Sequence, residues 1–185
     1  MKYEQVISAL RPAYDRMVEE RDSKETADWK IEERAQFLAL LQEENKTRLL
    51  EIGAGTGVHG KFFQDSGLRV TCTDLSREMV KRCREKGLEA YAMDFLRLDF
   101  PESWFEAIFA MNCLLHVPKI DLPRVLDVLH KMLQPGGLFY WGQYGGIERE
   151  GVWQDDHYKP QRFFCLLPDD AIKEIATLQF QLARF

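Results

Sequence analysis

Between Leu49 and Gly57 the chain reads Leu-Leu-Glu-Ile-Gly-Ala-Gly-Thr-Gly: an apolar strand running straight into three closely spaced glycines, with the carboxylate of Glu51 just ahead of them. A strand ending this way becomes a helix where the backbone must come close to a ligand, because side chains at the glycine positions would collide with it. The spacing therefore points to a bound cofactor rather than a plain turn.

The flanking sequence repeats the strand and helix alternation. Two helices are expected first, over Glu4–Glu20 with Pro12 interrupting and over Ala27–Glu44, joined by the polar stretch Asp22-Ser23-Lys24-Glu25. Strands follow at Arg48–Ile52, at Arg69–Thr73 ending on Asp74, and at Leu88–Ala92 ending near Asp94. Between them lie a helix over Val58–Asp65 stopped by Gly67 and one from the N-cap Ser76 to Lys86 closed by Gly87. Phe105–Met111 is, apart from Glu106, an apolar run with almost no alternation, as a strand covered on both faces should be. A helix over Asp121–Leu133 is stopped by Pro135-Gly136-Gly137, and Gly137–Trp141 makes a fifth strand. The alternation predicts an α/β fold: a doubly wound, mostly parallel sheet with helices on both faces and right-handed crossovers. Residues 142–167 read as a long irregular segment, followed by a helix over Asp169–Leu178 and a terminal strand over Phe180–Phe185.

In such a sheet the ligand sits at the carboxyl ends of the strands, near the point where strand order reverses. Those ends carry Glu51–Gly57, Asp74, Asp94 and Met111-Asn112-Cys113. Acids after the second and third strands suit an adenosine, Asp74 accepting from both ribose hydroxyls and Asp94 from the adenine amino group. A dinucleotide is the competitor, since Gly55-Thr56-Gly57-Val58-His59-Gly60 satisfies a bare GxGxxG. However, the first glycine of that fingerprint belongs at the strand's immediate end, where Gly53 stands, and counting from Gly53 puts Val58 at the third glycine position. Glu51 also opposes a pyrophosphate at the helix N-terminus, whereas a cofactor carrying a sulfonium and an ammonium meets no such conflict.

Taken together, Leu49–Gly57, Asp74-Leu75-Ser76 with Met79, Met93-Asp94-Phe95, Phe105–His116 and Leu133-Gln134-Pro135-Gly136-Gly137 resemble a class I S-adenosylmethionine-dependent methyltransferase, the likeness covering about residues 48 to 141. The resemblance implies S-adenosyl-L-methionine as cofactor and S-adenosyl-L-homocysteine as product. It sets Gly53, Gly55 and Gly57, with Ala54 and Thr56 of the same loop, against the methionine moiety and has Glu51 support the loop. It has Asp74 hold the ribose, Leu75 and Phe95 flank the adenine, Asp94 bind its amino group, and the backbone near Met111 and Asn112 take the ammonium. Ser76, Met79 and Met93 complete the implied cofactor set. The family sheet has seven strands with a terminal antiparallel hairpin, and no seventh is evident here. This predicts either a truncated sequence or a partner or rearranged packing at the C-terminal sheet edge, in a monomer or homodimer.

Methyl transfer from a sulfonium is an in-line displacement, so a general base is required only for an acceptor that arrives protonated. His116, after the fourth strand, and His157, in the long segment, are the candidates. Tyr14 and Trp29 are expected to fold over the cofactor as a lid, making residues 1–45 a helical lid, 46–141 the cofactor core and 142–185 the acceptor side. There Trp141, Tyr144, Tyr158 and Arg162 are candidate acceptor contacts, in a segment dense in rings. After the fourth strand stands Asn112-Cys113-Leu114-Leu115, which has neither the double proline that serves exocyclic nucleobase amines nor a Pro-Cys nucleophile. Together with a net charge of −5, this favours a small-molecule acceptor over nucleic acid or membrane. A methyltransferase of protein or RNA groups and a cofactor-binding module without catalysis are the alternatives. The four cysteines and four histidines lack zinc-site or disulfide spacing, so no metal is expected and a reduced, cytoplasmic protein is.

Overall fold

The computed structural model describes residues 1–185. Strand β1 (Arg48–Ile52) lies in the middle of a parallel sheet, paired with β2 (Arg69–Asp74) on one side and β4 (Phe105–Met111) on the other. With β3 (Glu89–Ala92) and β5 (Leu133–Gly142) the sheet has five strands in the order β3-β2-β1-β4-β5. The order reverses between β1 and β4, which places the switch point at the end of β1, where the glycines begin.

Alternate residues of the central strands feed two separate cores, as the two-residue period of a strand requires. Leu50, Ile52, Ile108 and Ala110 pack with α1 (Tyr3–Asp15) and α6 (Leu122–Met132) on one face. Leu49, Ala107, Phe109 and Met111 pack on the other with α3 (Asp28–Glu43), α4 (Val58–Asp65) and α5 (Arg77–Glu85). This double burial is why the fourth strand reads as an apolar run from Ala107 to Met111. No helix is long and apolar enough to cross a membrane.

Because α1 belongs to one core and α3 to the other, the chain crosses the sheet's carboxyl edge between them, and α2 (Val18–Ser23) makes the crossing. Ion pairs dock it on α5: Arg82 with Glu19 and Asp22, and Lys86 with Asp22. The expected break at Pro12 does not occur, since α1 runs through it to Asp15. The carbonyl that Pro12 deprives of a donor belongs to exposed Ser8, where water can take its place. Asp22 and Ser23 lie inside α2, so the connection to α3 is only Lys24–Ala27.

The C-terminal part departs further from expectation. Residues 142–167 contain an antiparallel hairpin, β6 (Arg149–Val152) paired with β7 (Phe163–Leu166), as a separate two-stranded sheet. Strand β5 starts at Leu133, and the Pro-Gly-Gly read as a helix stop is a bulge, Phe105 pairing with Leu133 and Ala107 with Leu138. The strand expected over Phe180–Phe185 does not form, because α7 (Asp169–Thr177) is followed by irregular chain. Phe180 packs on Phe139 and His130, while Leu182 and Phe185 stay exposed, Phe185 meeting the Lys173 ammonium 4.1 Å from its ring centre. Apolar content alone does not make a strand where neither backbone edge nor apolar face is met.

Candidate functional site

At the switch point a cavity opens between α1, α2 and the ends of β1, β2 and β4. Eleven of the residues expected from sequence line it: Tyr14, Gly53, Gly55, Asp74, Leu75, Met93, Asp94, Phe95, Met111, Asn112 and His116.

The glycines divide by task. A Cβ on Gly53 would stand 2.3 Å from that of Cys113, so this glycine lets the loop pack against the end of β4. Gly55, at φ +56°, would meet nothing but the Arg21 guanidinium at 3.8 Å, and its open side faces the cavity. Gly57 points away, into Leu88 and Cys83 at 2.6 and 2.9 Å, which corrects the expectation that all three glycines face the ligand.

Asp74 organises the loop. Its carboxylate accepts the Gly55 N–H at 2.8 Å and the Ser76 N–H at 2.9 Å, one on each oxygen, and both oxygens retain a lone pair for further donors. Burial pushes its pKa up, against these two hydrogen bonds and the Arg21 charge, which favour the ionised form. Asp94 accepts the Leu96 N–H at 3.0 Å and the Tyr3 hydroxyl at 3.4 Å on Oδ1, leaving Oδ2 to a ligand. Leu75, Met93 and Phe95 are the apolar surface between the two acids.

Glu51 does not line the cavity. It is buried beneath the loop, where the Cys72 thiol donates to Oε2 at 3.5 Å, and burial raises its pKa to about 8. Its neutral carboxyl is a strut, with Oε2 only 2.6 Å from where a Cβ on Gly60 would be. Ala54, Thr56, Ser76 and Met79 also lie outside. Ser76 caps α5, accepting the Met79 N–H at 3.1 Å, and donates to Asp15 at the end of α1.

His116 sits at the inner end of the cavity. Its Nδ1 is 2.7 Å from the Phe163 carbonyl, which can only accept, so Nδ1 carries the proton and Nε2 is the acceptor. Tyr14 Oη, 2.6 Å from Nε2, must then be the donor. Arg162 donates to the same oxygen at 3.2 Å and is gripped by Asp156 at 2.8 and 2.9 Å. Burial lowers the His116 pKa to about 3. Burial also pushes Asp156 up, but the hydrogen bonds and charge of Arg162 outweigh it and hold the acid at about 2.

Trp29, Trp141, Tyr144, Tyr158 and Arg162 stand outside the cavity lining. Tyr158 and Arg162 still reach its rim, the guanidinium 3.5 Å above the Tyr158 ring and both against Tyr14. Trp29 pairs with Tyr144 at 5.5 Å instead of covering the loop. His157 is on the outer surface, 64% exposed beside Glu20, which removes it from the catalytic candidates. Five lining residues were missed: Tyr3, Ile7, Leu10, Arg21 and Cys113. The helical spacing of Tyr3, Ile7 and Leu10 signals a common face, but nothing local says what that face meets.

Residues 49–137 match a family model described as a methyltransferase domain. A phosphatidylethanolamine N-methyltransferase of Cereibacter sphaeroides is 36% identical over 98 residues, covering 49% of this chain and 47% of that protein. A ubiquinone biosynthesis O-methyltransferase of Xylella fastidiosa is 33% identical over 101 residues, covering 50% and 40%. The chain thus spans about half or less of the length of these curated relatives. Among solved structures, the 1,6-didemethyltoxoflavin-N1-methyltransferase of Burkholderia thailandensis, with S-adenosylhomocysteine bound, superposes with a TM-score of 0.66. It covers 97% of this chain and 79% of its own at 18% identity, a likeness of fold alone.

Proposed function

We propose that the chain is a class I S-adenosylmethionine-dependent methyltransferase that transfers the cofactor's methyl group to a small molecule held at the Tyr14 end of the cavity. The observation that carries this reading is the pairing of two half-satisfied carboxylates, Asp74 and Asp94, with an open glycine loop at the switch point.

The remaining lone pairs of Asp74 suit vicinal ribose hydroxyls, and Asp94 Oδ2 suits the adenine amino group, with Leu75, Met93 and Phe95 around the base. Gly53 and Gly55 would lie along the methionine half, whose ammonium the backbone at Met111 and Asn112 would take. Bound here, the cofactor supplies an already activated methyl carbon, so the chain's own work is to position the acceptor and exclude water. Tyr14 is placed for that work. With its proton committed to His116 and Arg162 on its other side, Oη offers a fixed lone pair to an acceptor N–H or O–H. His116 is the positioning residue that holds this orientation.

A small acceptor is favoured because the β6–β7 loop brings Asp156, Tyr158 and Arg162 down onto Tyr14 and closes that end. The names of the two sequence relatives, a phosphatidylethanolamine N-methyltransferase and a ubiquinone biosynthesis O-methyltransferase, support the same reading. Calorimetric titration with S-adenosylhomocysteine and with NADH tests the cofactor, and binding of NADH alone would overturn the assignment. A metabolite extract incubated with methyl-labelled S-adenosylmethionine should yield a labelled low-molecular-weight product. Label appearing only in protein or RNA would overturn the small-molecule reading.

A further inference from the structure

The phenol of Tyr3 stands where the adenine is expected. Its ring is 4% exposed and lines the cavity with Leu75, Met93 and Phe95, the apolar surface between the two acids. Its hydroxyl makes two bonds at once, accepting the Phe95 N–H at 3.1 Å and donating to Asp94 Oδ1 at 3.4 Å. Burial, then the charge of Asp94, push the phenol's pKa up, which keeps the proton that the second bond requires.

An adenine asks for the same two partners. The edge by which proteins read the base sets an acceptor, the ring nitrogen N1, beside a donor, the exocyclic amino group. Such an edge needs an N–H next to a carboxylate, and Phe95 and Asp94 supply that pair. A tyrosine hydroxyl carries both functions on one oxygen, a proton to give and lone pairs to receive. While Tyr3 holds the Phe95 N–H, N1 has no donor there and the amino group has only Asp94 Oδ2.

The rest of α1 stays anchored whether or not the phenol does. Val6, Leu10 and Ala13 are buried, whereas Tyr3 is the helix's first residue and Lys2 before it is exposed. For Tyr3 to leave, only the opening turn must unwind, closed by the Gln5 and Val6 N–H groups on the Lys2 carbonyl at 3.0 and 3.2 Å. Resting on the cofactor reading above, we propose that Tyr3 is an internal stand-in for the adenine edge, which occupies the base site through the Phe95 N–H and Asp94 and is displaced when the cofactor's adenine takes those two bonds. A plug of this kind lowers apparent affinity in proportion to the fraction of molecules in which the site is open. Removing the hydroxyl leaves the Phe95 N–H without an acceptor in the plugged state, and so shifts the balance toward the open one.

Calorimetry on the wild type and Tyr3→Phe uses two titrants that share the adenine, S-adenosylhomocysteine and 5′-methylthioadenosine, which lacks the amino-acid half. Both should bind Tyr3→Phe about threefold to tenfold more tightly, and by the same factor. Weakened or unchanged binding overturns the proposal, because the hydroxyl is then a ligand contact or a bystander. A gain confined to S-adenosylhomocysteine overturns it too, since the adenine is common to both. The second measurement needs no variant. Tetranitromethane nitrates accessible tyrosines, and peptide mass mapping of the wild type treated with and without saturating S-adenosylhomocysteine reads Tyr3 directly. Nitration of Tyr3 should rise severalfold on saturation, and protection or no change overturns the displacement. This measurement decides alone if circular dichroism shows that Tyr3→Phe does not fold. A wild type that binds neither nucleoside fails the cofactor reading itself, a different outcome from all of these.

Discussion

Asp74 serves two sets of donors with one carboxylate, the loop's own amides and, in the proposed complex, the ribose. Removing it therefore both deletes the ligand contact and orphans the Gly55 N–H. Asp74→Ala should weaken S-adenosylhomocysteine about tenfold to a hundredfold, since a hydrogen bond to a charged group contributes about 1.5–3 kcal/mol and each 1.4 kcal/mol is tenfold. Calorimetry checks this, and unchanged affinity would remove Asp74 from the site. The Tyr14–His116 pair gives a second expectation. Because His116 stays neutral down to about pH 3, the pH–rate profile should show no step from it near the ordinary 6.5. Tyr14→Phe should lower kcat by about 10²-fold or more if Oη fixes the acceptor's proton, with cofactor affinity nearly unchanged. A kcat equal to wild type would show that Tyr14 only packs. Asp74 was legible as a candidate because it ends the second strand, and His116 because it lies in the turn that follows the fourth. The hydrogen bond that fixes the His116 tautomer was not, because its acceptor, the Phe163 carbonyl, is supplied 47 residues away.

Among the elements, α5 shows how much of a helix is written locally. Ser76 is its N-cap, Gly87 lies just past its end, and Met79, Val80 and Cys83 form its buried stripe, all readable from residue type and period. Ser76→Ala should cost about 1 kcal/mol, the usual loss for an N-cap, and the lost bond to Asp15 adds to it. Urea unfolding with an unchanged slope would measure it, and an unchanged midpoint would refute the cap's contribution. The hairpin β6–β7 shows the opposite case. Its charged and glycine-bearing strand, Arg149-Glu150-Gly151-Val152, has no clean alternation, and it forms because Phe163, Cys165 and Leu167 have a core to enter. The terminal stretch Phe180–Phe185 is rich in apolar residues, but only Phe180 packs against the core. Helix α1 differs from the expected lid, since Val6, Leu10 and Ala13 are buried as deeply as the strands and make it a fixed wall of the cavity.

For the whole molecule, burial of Glu51 links stability to pH. Its folded pKa of about 8 lies above the ordinary 4.5, so the folded chain holds that proton more tightly than the unfolded one. The contribution is complete below pH 4.5 and is lost as pH rises through 8. His116, at about 3 against 6.5, acts in the reverse sense, its contribution being lost as pH falls through that interval. Melting temperatures of the wild type and Glu51→Gln, followed from pH 5 to 8, should therefore diverge, the wild type losing ground as pH rises while the amide variant, which cannot ionise, does not. Parallel curves would mean that Glu51 ionises freely in the folded chain. The sequence by itself determined the strand–glycine–helix unit, the parallel sheet built around it and the acids at the strand ends, because periodicity, capping and turn chemistry act over a few residues. Only the tertiary structure decided which glycine faces the ligand, that Glu51 lies beneath the loop, and that Arg21 and Tyr14 overhang it. Those follow from α1 and α3 docking on opposite faces of one sheet, and so carrying α2 across its edge, a consequence of burial summed over both cores that no short segment encodes.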